Sequence, residues 1–159
     1  MRNNLKSIIS TRKGAIHKEV KLLSVPEGKR TESKLAFHTQ AIELAKYTTT
    51  ICNNNKIFPK RDRWMIANRI VDASMTILIS VVKANGIFVS DKESYKKRRE
   101  YQELARDSTL ELLALIDFSY NKYHIESRKI EYWTRLVHDE RKLILKWMKS
   151  DKDRFKNLK

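Results

Sequence analysis

Four histidines, one cysteine and a handful of carboxylates are the residues of this chain that could build a metal or catalytic centre. His17, His38, His124 and His138 have no His or Cys partner at metal-ligand spacing, and no Glu-x-x-His pair occurs, so the pattern of a zinc or di-iron site is missing. Cys52 lacks the local context of a catalytic thiol, and the sequence holds neither a Gly-rich phosphate loop nor a Gly-x-Ser-x-Gly turn. Asp107, Glu111 and Asp117 fall in one helical stretch, where carboxylates are ordinarily surface residues rather than an acid and base pair. The expectation is a protein with no catalytic residue, no metal and no cofactor, and not an enzyme.

The chemistry that the sequence does offer is cationic. Thirty-four Lys and Arg against 19 Asp and Glu leave a formal charge of +15, where about two to eight units keep a small domain soluble. Each phosphate neutralised by Lys or Arg releases counterions, so such a surface gains salt-sensitive affinity for polyanions without reading bases. Two groupings stand out. Lys96, Lys97, Arg98 and Arg99 are consecutive; on a helix they span every azimuth, so at least two must face solvent, and near a helix N-terminus they oppose the macrodipole, a small cost that a bound anion removes. Arg128, Arg135, Lys142 and Lys149 recur every seven residues, with Tyr132 and Lys146 on the same azimuth and Asp139 interrupting. Such a row can track a phosphate backbone, RNA or DNA, with Tyr132 placed to stack on an unpaired base; Asp139 and Glu140 instead suit an ordinary solvated face.

These residues need helices to position them. Three glycines and two prolines in 159 residues suit long helices, and the length suits one domain. The first strong helix is expected over about Glu32 to Asn53, capped by Thr31 or Ser33, with Leu35, Ala41, Ile42, Leu44, Ala45 and Ile51 as its apolar faces. Asn53-Asn54-Asn55 and the Phe58-Pro59 junction start a new element. It runs from Lys60 to Asn85, with Gly86 at the position of a left-handed cap. One apolar row on it, Ile66, Ile70, Ala73, Ile77, Val81 and Ala84, suits a core. A second, Ala67, Val71, Met75, Leu78 and Val82, is expected at a subunit interface, because a helix apolar on most of its circumference must be buried on most of it.

Ser90 or Asp91 caps a third helix to about Tyr123, with Tyr101, Leu104, Ala105, Ser108, Leu112, Leu115, Ile116 and Tyr120 at core spacing. The last helix spans about Glu126 to Ser150, burying Ile130, Trp133, Val137, Ile144 and Trp147. Residues 1–34 read as a basic extension with a short amphipathic stretch (Leu5, Ile8, Ile9, Ile16, Val20, Leu23), residues 35–150 as an antiparallel up-down four-helix bundle, and residues 151–159 as a basic tail, frayed over Lys152-Asp153-Arg154-Phe155-Lys156. The lone cysteine and the lack of an apolar run of about 20 residues suit a cytoplasmic protein that does not use a membrane.

The segment Phe58-Pro59-Lys60-Arg61-Asp62-Arg63-Trp64, followed by Ile66-Ala67-Asn68-Arg69-Ile70-Val71-Asp72-Ala73 and closing Val82-Lys83-Ala84-Asn85-Gly86, resembles a four-helix-bundle family. That family includes the proteins encoded in ribosomal-RNA intervening sequences and the accessory variability proteins of diversity-generating retroelements. The likeness covers roughly residues 35–150. It implies a homopentameric ring with a basic surface and, for the accessory branch, binding to a reverse transcriptase and its template RNA during cDNA synthesis. Lys60, Arg61, Arg63 and Arg69 are the basic positions within the motif. The chain departs from the family in its N-terminal extension and in the polar run Thr48-Thr49-Thr50. The sequence thus leads to an RNA-binding accessory subunit. Its alternatives are a scaffolding bundle that recruits an acidic protein and a membrane-surface protein using the N-terminal stretch.

Overall fold

The computed structural model describes residues 36–158; the basic extension and the expected start of the first helix lie outside the described residues. These form four helices and no strand: α1 (Ala36–Cys52), α2 (Lys60–Gly86), α3 (Lys92–Tyr123) and α4 (Ser127–Arg154). The local chemistry at their ends explains the boundaries. After α1 the Asn54 carbonyl accepts from Phe58 N at 2.9 Å and its side chain from Lys56 N at 2.9 Å, a tight polar turn. Pro59 then enters α2 with φ −56°, the angle that its ring imposes. Asp91 caps α3 reciprocally with Ser94: Ser94 N donates to Asp91 Oδ1 at 2.8 Å and Asp91 N to Ser94 Oγ at 3.1 Å. The bond from Ser94 N, with those from the Ser90 and Ser94 hydroxyls, holds the Asp91 carboxyl below its ordinary range.

Two helix ends differ from expectation. Gly86 is not a left-handed cap. It is the last helical residue, Ile87 follows in extended conformation, and Ile87 N closes back on Ala84 O at 3.4 Å, so the end needs no positive φ. The left-handed residue is His124, with φ 51°, which ends α3 by donating its N–H to Tyr120 O at 3.1 Å. α4 also runs to Arg154, past the expected end at Ser150.

Within α2, Arg63–Ala67 forms a π-helical turn. Its signature is the spacing of buried residues: Asp62 and Ala67 lie five apart, whereas Ile70, Ala73, Ile77, Val81 and Ala84 return to steps of three and four. Trp64 and Met65 lie within this turn and are exposed.

α1 and α3 each pack against both α2 and α4, giving a helical bundle around one core. Leu44, Phe58, Ile70, Ile77, Leu112, Ile116, Trp133 and Ile144 are fully buried, each stabilising the fold by about 1.5–3 kcal/mol before entropy is counted. Small residues let the helices approach, and several of these are polar. Ser74 Oγ donates to Val71 O at 2.8 Å and Ser119 Oγ to Leu115 O at 2.7 Å, which satisfies the hydroxyls inside their own helices. Thr48 is no packing defect: Trp133 Nε1 donates to its Oγ1 at 2.9 Å in the core. Phe37 stacks on Trp147 with centroids 4.3 Å apart.

The inward face of α3 is Gln102, Ala105, Ser108, Thr109, Leu112, Ile116 and Ser119. Leu104 and Tyr120, expected inside, are exposed at its flanks, because a 32-residue helix holds a narrow, partly polar seam. One further expectation fails: α2 does contain a window long and apolar enough to cross a membrane by length and composition. In the bundle that window turns Ile70, Ala73, Ile77 and Val81 onto the core.

Candidate nucleic-acid interface

α4 projects Arg128, Arg135, Lys142, Lys146 and Lys149 into solvent along its length. The opposite face packs Trp133, Leu136, Val137, Ile144 and Met148, so burial fixes the orientation of the stripe. From Arg128 to Lys149 the helix rises about 30 Å, roughly nine base pairs of duplex at 3.4 Å per step. Lys142 Nζ lies 3.4 Å from Asp139 Oδ1; Arg128, Arg135, Lys146 and Lys149 have no ion-pair partner among the described residues. Unpaired cations on one face make a surface whose repulsion a phosphate chain relieves.

Tyr132 does not offer the free ring that its position suggested. Its hydroxyl donates to Glu43 Oε1 at 2.8 Å, its ring meets Tyr47 edge-on at 4.7 Å, and the Arg135 guanidinium lies 5.2 Å from its centroid. The bond to Glu43 and burial raise the phenol's pKa. Tyr132 ties α4 to α1.

The run Lys96 to Arg99 divides in two. Lys96 and Lys97 are exposed. Arg98 turns inward, with Nε 2.8 Å from Asp151 Oδ2 and its guanidinium 5.1 Å from the Trp147 ring centroid, while Gln102 Nε2 donates to Asp151 Oδ2 at 2.8 Å. Arg99 is half-buried, with Nε 3.1 Å from Glu103 Oε1 and Nη1 donating to Met148 O at 3.1 Å. Both arginines fasten the start of α3 to the end of α4. Asp151, placed by the sequence at the start of the basic tail, is the buried anchor of that joint.

Among the motif positions Lys60, Arg61 and Arg69 are exposed. Arg63 is structural: its Nη2 donates to Asn53 O at 2.7 Å and to Asn55 Oδ1, clasping the connection between α1 and α2. The expected subunit row also divides. Ala67 is buried in this chain's own core, Val71 and Leu78 are half-buried, and Met75 and Val82 are exposed. Ala67 lies three residues before Ile70 and seven before Ser74, so it continues the buried row of α2 and not the outer one. Ile79, absent from the expected row, joins Met75 and Val82 on an exposed apolar face, and beside it Ile42 and Leu78 line a groove between α1 and α2.

Cys52 is buried, which pushes its thiol up to about 12, far from a thiolate nucleophile. Asp107 is held below its ordinary range by the Arg106 side chain, whose Nε donates to Asp107 Oδ1 at 2.7 Å. Glu140, expected on the solvent face, is 0% exposed, and neither carboxylate oxygen has a hydrogen-bond partner; burial pushes this group up to about 8. Only its place between Val137 and Ile144 on the inward row signalled this. In comparison with known proteins, the chain matches no protein-family model and no curated protein.

Proposed function

We propose that this chain is a non-enzymatic, nucleic-acid-binding four-helix bundle of up-down topology that self-associates as a ring. In the sense of the family it resembles, it serves a reverse transcriptase by holding template RNA for cDNA synthesis. The observation that carries the reading is the α4 stripe: four exposed cations without ion-pair partners among the described residues, spread over about 30 Å. Phosphate contacts of this kind add sequence-independent affinity. Self-association through the apolar α1–α2 face multiplies the stripes available to one RNA, so weak contacts add through effective concentration. The joint of Arg98 near the start of α3 with Asp151 near the end of α4 supports opposite running directions for those helices.

The test is RNA affinity across a salt series for the wild type and for Arg128→Glu, Arg135→Glu and Lys142→Glu combined. The wild type should weaken steeply with salt, and the triple variant should bind weakly with a log–log salt slope reduced by about three. Unchanged affinity and slope in the variant would remove the stripe from the interface. A wild type indifferent to RNA and salt would leave the scaffolding reading in its place.

A further inference from the structure

Trp64 is 81% exposed and its neighbour Met65 61% exposed, although both open a helix that is otherwise strongly apolar on its inner side. Both lie within the π turn at Arg63–Ala67, and Arg63, tied to Asn53 O, holds that turn against the end of α1. Insertions of this kind re-aim side chains, and they recur at functional sites.

The setting of Trp64 is cationic. Lys60, Arg61 and Arg69 are exposed on the same stretch, the Arg61 side chain at 86%. From α3, Lys122 reaches the same end of the bundle, with Nζ 3.9 Å from Asp62 Oδ2, while Arg61 Nε lies 3.5 Å from Asp62 Oδ1. Asp62, itself buried, meets two cations, so the local balance stays positive. Exposed Asn68 and Asp72 separate this patch from the apolar face of Met75 and Ile79. Phe88 is as exposed, but Asp91 and Glu93 follow it closely.

Resting on the nucleic-acid reading, we infer that Trp64 is a stacking platform for an unpaired base of a single-stranded RNA, with Lys60, Arg61 and Arg69 on the flanking phosphates. Every base has a π-face, so the site takes single strands with little sequence preference and rejects the stacked interior of a duplex. It lies on α2, apart from the α4 stripe, and gives the protein a means of favouring unpaired template.

Binding of the full-length chain to a labelled 12-nucleotide oligouridine and to a 12-base-pair RNA duplex tests this. Trp64→Ala should weaken oligouridine binding about tenfold, the size of one base–aromatic stack, and change duplex binding less than twofold. Trp64→Phe should recover most of the loss. Equal affinity of wild type and Trp64→Ala for oligouridine overturns the platform while leaving the nucleic-acid reading intact. So does an equal loss on both RNAs, or a changed light-scattering mass, which would make Trp64 a subunit contact. A wild type that binds neither RNA overturns both readings together.

Discussion

Glu140 sits on the inward row of α4 with Val137 and Ile144, fully buried and with both carboxylate oxygens unpartnered. Burial of a carboxylate without partners favours its neutral form, so the folded state holds the proton up to about pH 8, whereas the unfolded chain releases it in the ordinary carboxylate range. A raised acid pKa means that the folded state binds more protons across that window. The contribution of Glu140 to stability is therefore most favourable below the ordinary range and falls as pH rises towards 8. Asp91, Asp107 and Glu126 are shifted the other way, and their effects belong below that window. Denaturant melts of wild type and Glu140→Gln at pH 5 and pH 8 check this. The variant should gain on the wild type by about 3 kcal/mol between the two values, and parallel curves would show that Glu140 is solvated or paired. The residue also marks a limit of sequence reading. Seven-residue spacing correctly found the outward cations of α4, but Asp139 and Glu140 are adjacent, and charge type alone put both outside. Only the first is; the second falls where the inward row turns. Arg98 misleads in the same way, since its neighbours Lys96 and Lys97 are exposed while its own guanidinium reaches Asp151 and the Trp147 ring.

At the scale of elements the sequence was more legible. The Phe58-Pro59 junction, the Asp91 cap and the order of four helices all appear where residue chemistry puts them, because caps and prolines act through neighbouring backbone atoms. The ends governed by glycine were not. A glycine after a helix is consistent with a left-handed cap, yet whether φ becomes positive depends on where the following chain must go. Here Ile87 leads directly into extended backbone, and the positive φ falls to His124, a residue type only moderately suited to it. A substitution separates the two cases. A Cβ added at Gly86 meets nothing within 4 Å and faces no left-handed angle, so Gly86→Ala should stabilise the protein by about 0.5–1 kcal/mol through the unfolded chain's lost entropy. Loss of stability on thermal or denaturant melting would restore Gly86 to the left-handed role. The π turn was illegible for a related reason: the five-residue step from Asp62 to Ala67 is visible only once burial is known.

For the whole molecule, net charge and apolar width point to polyanions and to association, but they do not identify the residues that meet a neighbouring copy. The apolar row of α2 splits between this chain's core and its surface, leaving Met75, Ile79 and Val82 exposed beside the groove lined by Ile42 and Leu78. Contiguous exposed apolar surface of this kind ordinarily marks an interaction site. If this face joins subunits, a charge there breaks the assembly without touching the core, because these side chains already meet water in the single chain. If the chain forms the proposed ring of about five subunits through this face, Ile79→Glu combined with Val82→Glu should lower the light-scattering mass from that of the ring to that of one subunit. The monomer's own melt should shift by no more than about 0.5 kcal/mol, as for surface substitutions. On the proposed reading RNA affinity should fall as well, by more than any loss at one α4 stripe, since a ring would present several stripes together. A variant that keeps the wild-type mass would move the subunit contact to another face. A variant that becomes monomeric yet binds RNA as tightly as before would separate assembly from binding and leave each stripe to act alone.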